Sequence, residues 1–409
     1  GLFLSNTAHD LRFRPRYFLP KIRQLEELRE KEYDAGDAYL PDGFSFIDRA
    51  IFDYLGVYLM RDQLIALMGR LSFIDFASWG PGRVDTFNAP KALLGFDMRN
   101  AHESELMGNA DFPSVWNQKY RKGMWLHWDG NTCSVDERNL SAGFGTGATP
   151  PTIDRDSVLR TADWLWTDAQ PIPFPQDRID KALLQTGEQV YRRACWECHG
   201  NGKAPFRAPG DGSRVGAVTP IGEIGTDRAR LDSYTPVLAS AQGSLYAGFP
   251  EAGEAECREY AERVCDPAQP DEEFFALREQ CYPYRFSHFR KTYGYANMPL
   301  DGLWLRAPYL HNGSVPTLRQ LLEPSTRPTV FYTGYDVYDY ANVGFVTAPC
   351  CTGQVTSGCV EPQAGACVPP GQGWEFRTSL PGNGNQGHTY GADLTPAEKD
   401  ALLEYLKTL

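Results

Sequence analysis

The sequence predicts a mainly α protein of two domains in tandem, with long ordered loops and little β structure. Three observations carry this. The chain has 409 residues, long enough for two cores. Apolar residues recur at helical spacing near both ends of the chain. Between these stretches lie Gly-, Asn- and Pro-rich segments without long periodic runs.

Taken in order, "KIRQLEELREKEYD" puts Ile22, Leu25 and Leu28 on one helical face, and "RDQLIALMGRL" reads the same way. From about 78 to 151 the chain is rich in Gly, Asn and Trp, which predicts ordered loops of the kind that line a site. "TGATPPTID" and "QPIPFPQD" mark a linker, dividing an N-terminal domain at 1–170 from a C-terminal domain at 171–409. The second domain opens with Ile179, Leu183, Val190, Tyr191 and Ala194 on a helix that runs into "CWECH". "EAECREYAERVC" reads as a charged helix, and "SVPTLRQLLEP" as a short one ending before Pro324. "LTPAEKDALLEYLKTL" closes the chain as a helix with Thr395 as cap, Pro396 at its first position, Glu398 completing a capping box, and Leu402, Tyr405, Leu406 and Leu409 as its apolar face.

A net charge of −12 without a basic patch argues against nucleic acid as a partner. No run of 18 apolar residues offers a membrane span. Gly1 without a Met or a leader suggests a processed or truncated form. Aromatic residues make up 13% of the chain, which suits the lining of a flat apolar cofactor and equally suits plain aromatic packing.

Ten cysteines are many for a reducing compartment. Cys195 and Cys198 belong to "CWECH". The other eight, Cys133, Cys257, Cys265, Cys281, Cys350, Cys351, Cys359 and Cys367, allow four bridges. The segment from Cys350 to Cys367 reads as a stapled loop, with the neighbours Cys350 and Cys351 bonded to different partners because a vicinal bridge strains the backbone. This points to a periplasmic or extracellular protein.

C-x-x-C-H is the attachment signature of c-type haem. The spacing of Cys195 and Cys198 matches two haem vinyl groups, and His199 falls under the iron as proximal ligand. A redox dithiol lacks its βαβ setting here, and a zinc site lacks a second ligand pair. For the opposite axial position the candidates are His288, Met298, His311 and His388. His388 is favoured because it lies in the glycine-rich loop before the last helix; His311 could instead hold a turn or bond a haem propionate.

A helix before the motif and a capped helix at the end resemble the crossed terminal helices of cytochrome c domains. "WLHWDGNTCSVDERN" and "LRAPYLHNGSVPTLRQLL" together resemble the bacterial dihaem cytochrome c peroxidase superfamily, which includes the dihaem rubber oxygenases. The shared residues are Trp128, Asp129, Gly130, Ser134, Val135, Asp136 and Glu137 in the first stretch. In the second they are Pro308, Tyr309, His311, Gly313, Thr317 and Leu318. The ending "GNGNQGHTYG" with its helix is most similar to the rubber oxygenase branch. The resemblance implies tandem cytochrome c-like domains, His388 as a haem ligand, Trp128 as an electron bridge between two haems, and Glu137 near a reactive N-terminal haem. The sequence departs from that plan in having one intact C-x-x-C-H. "LSNTAHD" keeps the frame at His9 with both cysteines replaced.

These readings give an expectation of one covalent haem c per chain, with a second haem not encoded by an intact motif. The leading function is electron transfer to a redox partner protein. The alternatives are a haem-dependent peroxidase or oxygenase, with Trp128 and Glu137 as catalytic residues, and a structural subunit of a larger redox assembly.

Overall fold

The computed structural model describes residues 80–207, 212–249, 282–351, 358–361 and 365–409, together with isolated positions between 47 and 66. The expected helices at 21–34 and 254–265, the His9 frame, and Cys257, Cys265 and Cys281 lie outside the described residues. Of the helix expected at 61–71, Asp62, Ile65 and Ala66 are described and are helical.

Two compact units divide the chain. One comprises Gly1–Ser78 and Asn88–His102; the other comprises Trp79–Phe87 and Glu103–Leu409. In the first, helix α1 (Asn88–Leu93) leads to a 3-10 turn at Met98–Asn100, where the Asp97 carboxylate accepts from the Arg99 backbone N–H. All candidate site residues within the described segments lie in the second unit.

Among the described residues that unit is organised by helices, with short antiparallel strand pairs and a few isolated bridges, two of them parallel. Val84–Asp85 (β1) pairs with Asn109–Ala110 (β2), and Val218–Pro220 (β3) with Gly294–Ala296 (β4). Val330–Thr333 (β5) pairs with Trp374–Arg377 (β8), and Tyr338–Asp339 (β6) with Gly344–Phe345 (β7). Helix α2 (Val135–Gly145) starts where the Ser134 hydroxyl accepts from the Glu137 N–H. Helix α3 (Arg155–Thr167) interrupts the expected linker. Its start is legible after the fact, because Asp154 caps it through Ser157.

Helix α4 (Leu184–Ala194) is shorter than the apolar pattern suggests. The Asp180 carboxylate accepts from the Ala182 N–H, a local turn that competes with helix, so Ile179 and Leu183 precede the first turn. Trp196–His199 (α5) continues directly from Cys195. Helices α6 (Pro236–Ser244) and α7 (Leu318–Leu322) are capped by Thr235 and Thr317. The last helix, α8 (Pro396–Leu406), carries the full capping box of Thr395 and Glu398.

The main core forms where α8 crosses α4. Leu402, Leu403 and Leu406 pack with Val190, Tyr191, Leu318, Leu322 and Val343, while Tyr405 and Leu409 are half-buried beside them. Glu398 also takes a hydrogen bond from Arg193 of α4 (2.6 Å), so the cap of one helix is tied to the other. Burying these side chains, at about 1.5–3 kcal/mol each, holds the crossing together.

Cys350 bonds Cys367 and Cys351 bonds Cys359, so the vicinal pair takes different partners as expected. Cys133 is a free, half-buried thiol, which an even cysteine count did not foresee.

Candidate haem site

The site begins where α4 ends. The His199 N–H donates to Cys195 O (3.0 Å) and the Cys198 N–H to the same carbonyl (3.2 Å), winding both cysteines and the histidine into one turn. Gly200 follows with φ +57, and a Cβ there would strike Phe206 O, so the chain can leave the turn only through glycine. The Tyr191 hydroxyl fixes the Gly200 carbonyl from the core (2.9 Å).

Burial and the neighbouring Cys198 push the Cys195 thiol up to about 12, and burial also raises Cys198. A redox dithiol needs the opposite shift. Among the described residues, no three His, Cys, Asp or Glu side chains cluster as metal ligands, which leaves a zinc reading without its ligand set.

His199 Nδ1 lies 2.8 Å from Met298 O. A carbonyl can only accept, so Nδ1 carries the proton and Nε2 keeps its lone pair, the arrangement that orients a metal-ligating imidazole. Burial pushes the His199 pKa down to about 4, and the ring is neutral at physiological pH.

Facing it is His388, with ring centroids 6.3 Å apart and planes at 45°. Two imidazoles bound trans to one metal, at about 2 Å per metal–nitrogen bond, place their centroids roughly 6 Å apart. His388 has a left-handed backbone, φ 44. Its N–H donates to Ile224 O (2.8 Å), and its carbonyl accepts from Arg327 Nη2 (3.1 Å). Its Nδ1 is buried without a partner among the described residues. Burial, the neighbouring His199 and Arg327 push its pKa down to about 4. The ring separation, the orphaned buried nitrogen and the two cysteines beside His199 fit a haem c held between two histidines.

The other predicted residues stand elsewhere. Met298 meets His199 through its backbone carbonyl. His311 is buried, stacked on Tyr295 (centroids 4.3 Å) with Nε2 3.1 Å from the Tyr295 hydroxyl; burial pushes its pKa down to about 3. Glu137 accepts from the backbone N–H groups of Ser287 (2.7 Å) and His288 (3.0 Å) and lies 2.7 Å from His288 Nδ1. Among the described residues, those contacts engage both of its oxygens. Trp128 donates its indole N–H to Asp111 O (2.7 Å), and its carbonyl accepts from the Ala296 N–H (2.8 Å). Asp129, next to it, is fully buried and paired with Arg230 (2.9 Å). Sequence reasoning missed the Met298 carbonyl and Arg327. A basic residue directly before Pro328, at the end of the short helix segment, was the one local signal for the latter.

Residues 294–332 match the family model described as "RoxA-like, cytochrome c-like". The segment supplies β4, the Met298 carbonyl, α7 and Arg327. The match makes residues 294–332 similar to cytochrome c-like domains of RoxA type, and a cytochrome c-like domain implies binding of haem c. Two curated relatives from Sinorhizobium fredii are similar over longer stretches. The uncharacterized protein y4iM is 34% identical over 254 residues, covering 60% of this chain and 51% of that protein. The uncharacterized protein y4iJ is 28% identical over 392 residues, covering 81% of this chain and 60% of that protein. The chain thus spans between half and two thirds of the length of either relative. Among the described residues no helix is long and apolar enough to cross a membrane, and cytochrome c domains are typically extracytoplasmic.

Proposed function

We propose that this chain is an extracytoplasmic electron-transfer cytochrome, with one haem c held through Cys195 and Cys198 and ligated by His199 and His388, on a scaffold of the dihaem peroxidase kind whose tandem domains divide near residue 170. The observation that carries it is the pair of neutral, half-buried imidazoles facing each other at 6.3 Å beside the two cysteines. Haem c, when bound, supplies a one-electron iron couple. His199 and His388 are the two residues that would hold its iron, and a haem so held would carry electrons without offering a site to oxygen or peroxide. The Met298 carbonyl orients the proximal ring and keeps its proton on Nδ1. A periplasmic or extracellular location follows from the covalent haem and the disulfides, and the partner is another redox protein.

One observation favours a second reading, in which this haem feeds a peroxidase or oxygenase centre. The Trp128 carbonyl bonds the Ala296 N–H, and two residues on, the Met298 carbonyl bonds His199. That short run of covalent and hydrogen bonds links the indole residue to the proximal ligand.

The test is a pyridine haemochrome count and a ferric spectrum of the purified chain. One haem per chain and a low-spin ferric state are expected. His388→Ala should open the site to carbon monoxide in the ferrous state, and Cys195→Ser should leave a single thioether with a red-shifted α band. A His388→Ala protein that stays six-coordinate and excludes carbon monoxide refutes His388 as ligand. A second, high-spin haem in the wild type would favour the enzyme reading.

A further inference from the structure

Arg327 lies just beyond the turn that follows α7, and its guanidinium is spent entirely on backbone carbonyls. Nε donates to Gln320 O (3.2 Å) and Nη2 to Leu321 O (3.1 Å), both in α7. Nη1 donates to Asn385 O (2.6 Å) and Gly387 O (2.8 Å), and Nη2 also to His388 O (3.1 Å). The five bonds tie the final turn of α7 to three carbonyls of the His388 loop. Only arginine offers five donors in one rigid plane. Lysine has three donors at a single point and cannot span both groups.

The loop needs such a tie. A non-glycine residue at φ 44 is held in a disfavoured region, and it persists only where its surroundings over-determine it. The Ile224 carbonyl holds the His388 N–H from one side, and Arg327 holds the carbonyl from the other. Among the described residues no carboxylate pairs with Arg327, so its positive charge stands uncompensated next to the His388 backbone.

We propose that Arg327 is the positioning residue for the imidazole opposite His199: it clamps the 385–388 loop to α7 so that the His388 ring stays over the His199 ring, and its charge raises the reduction potential of the group between them. The proposal rests on the reading of His388 given above. The two effects separate chemically. The clamp depends on the planar fork, and the potential depends on the charge, since a nearby cation favours the reduced, less positive metal centre.

The experiment uses the whole haem-loaded chain and three variants, Arg327→Lys, Arg327→Gln and His388→Ala. Carbon monoxide binding to the ferrous form and the midpoint potential are measured on each. Both Arg327 variants should bind carbon monoxide about tenfold faster or more than wild type, because hydrogen bonds from a charged donor are lost in each. The potential should fall in Arg327→Gln and stay near wild type in Arg327→Lys, a split that loosened packing alone would not produce. Should Arg327→Gln load haem poorly, Arg327→Lys still decides the clamp. If His388→Ala opens the site while Arg327→Lys excludes carbon monoxide like wild type, the clamp is refuted and the ligand reading stands. If His388→Ala itself stays closed, the ligand reading fails and takes this proposal with it.

Discussion

Gly187→Ala should destabilise the protein although alanine is the better helix former. Gly187 sits in α4 where α8 crosses it. A Cβ built there overlaps the Ala401 carbonyl oxygen and comes within 2.7 Å of Tyr405 Cβ and 2.8 Å of the Ala401 carbonyl carbon. Two of these atoms are backbone, and the third is the root of a side chain, so none can swing aside. The helices must separate, loosening the contacts of Val190 and Tyr191 with Leu402 and Leu406. Replacing glycine inside a helix gains about 1 kcal/mol. Forcing an extra methyl into a packed contact costs about 1–3 kcal/mol, and more where backbone is the obstacle. A net loss of about 1–2 kcal/mol is expected by urea unfolding followed by circular dichroism. Gly145→Ala in α2 is the control, since nothing lies within 4 Å of its Cβ position; it should be neutral or slightly stabilising. Because α4 ends at Cys195 and α8 follows the His388 loop, Gly187→Ala should also speed carbon monoxide binding to the ferrous protein. A Gly187→Ala protein as stable as the Gly145→Ala control would refute the packing argument.

Two further outcomes are expected. Arg121 and Asp301 form a buried pair at 2.7 Å, with side chains 2% and 4% exposed; Asp301→Ala strands a buried cation and should cost about 3–5 kcal/mol, while Arg121→Met with Asp301→Leu should cost less than that single change. Urea midpoints decide it, and a double variant weaker than the single would sink the claim. His311 is buried neutral, its pKa pushed down to about 3 against about 6.5 in an unfolded chain. In that window the unfolded state holds more protons, so stability rises with pH and is lost on acidification below about 6.5, with no contribution above it. His311→Gln should flatten the dependence of the urea midpoint on pH between about 4 and 6; an unchanged slope would show that another group carries it.

What the sequence made legible was local. Cys195, Cys198 and His199 form one turn because three residues set their spacing, and the Thr395–Glu398 box closes on itself within four residues. The bridging of Cys350 and Cys351 to different partners followed from backbone strain between neighbours. What stayed hidden was made by distant carbonyls and long-range approach. Glu137 stands at the spacing of a capping box, yet its carboxylate reaches the backbone at Ser287 and His288, a contact no local pattern encodes. The five acceptors of Arg327 are main-chain oxygens, which every residue type carries, so no choice of side chain could announce them. Helix α3 escaped notice because prolines on both sides drew attention to a linker, while its Asp154 cap was the stronger signal.

The residues that match the RoxA-like family model also explain why one short segment can carry so much of the site. Met298 O accepts from His199 Nδ1, Ala296 N–H holds the Trp128 carbonyl, and Tyr295 stacks on His311. Asp301 neutralises Arg121, and Arg327 binds the loop of the opposite histidine. Both axial candidates and the indole residue are therefore referenced to one stretch of backbone through hydrogen bonds. A shift of that stretch would move all three together. The same logic separates the two functional readings. Electron transfer needs only the ring pair and its clamp, whereas an enzyme would also need Trp128 held against Ala296. Ala296→Pro removes that N–H while leaving Met298 and Arg327 in the chain. Loss of turnover with the haem spectrum intact would speak for the enzyme; an unaltered protein in both respects would leave electron transfer as the simpler account.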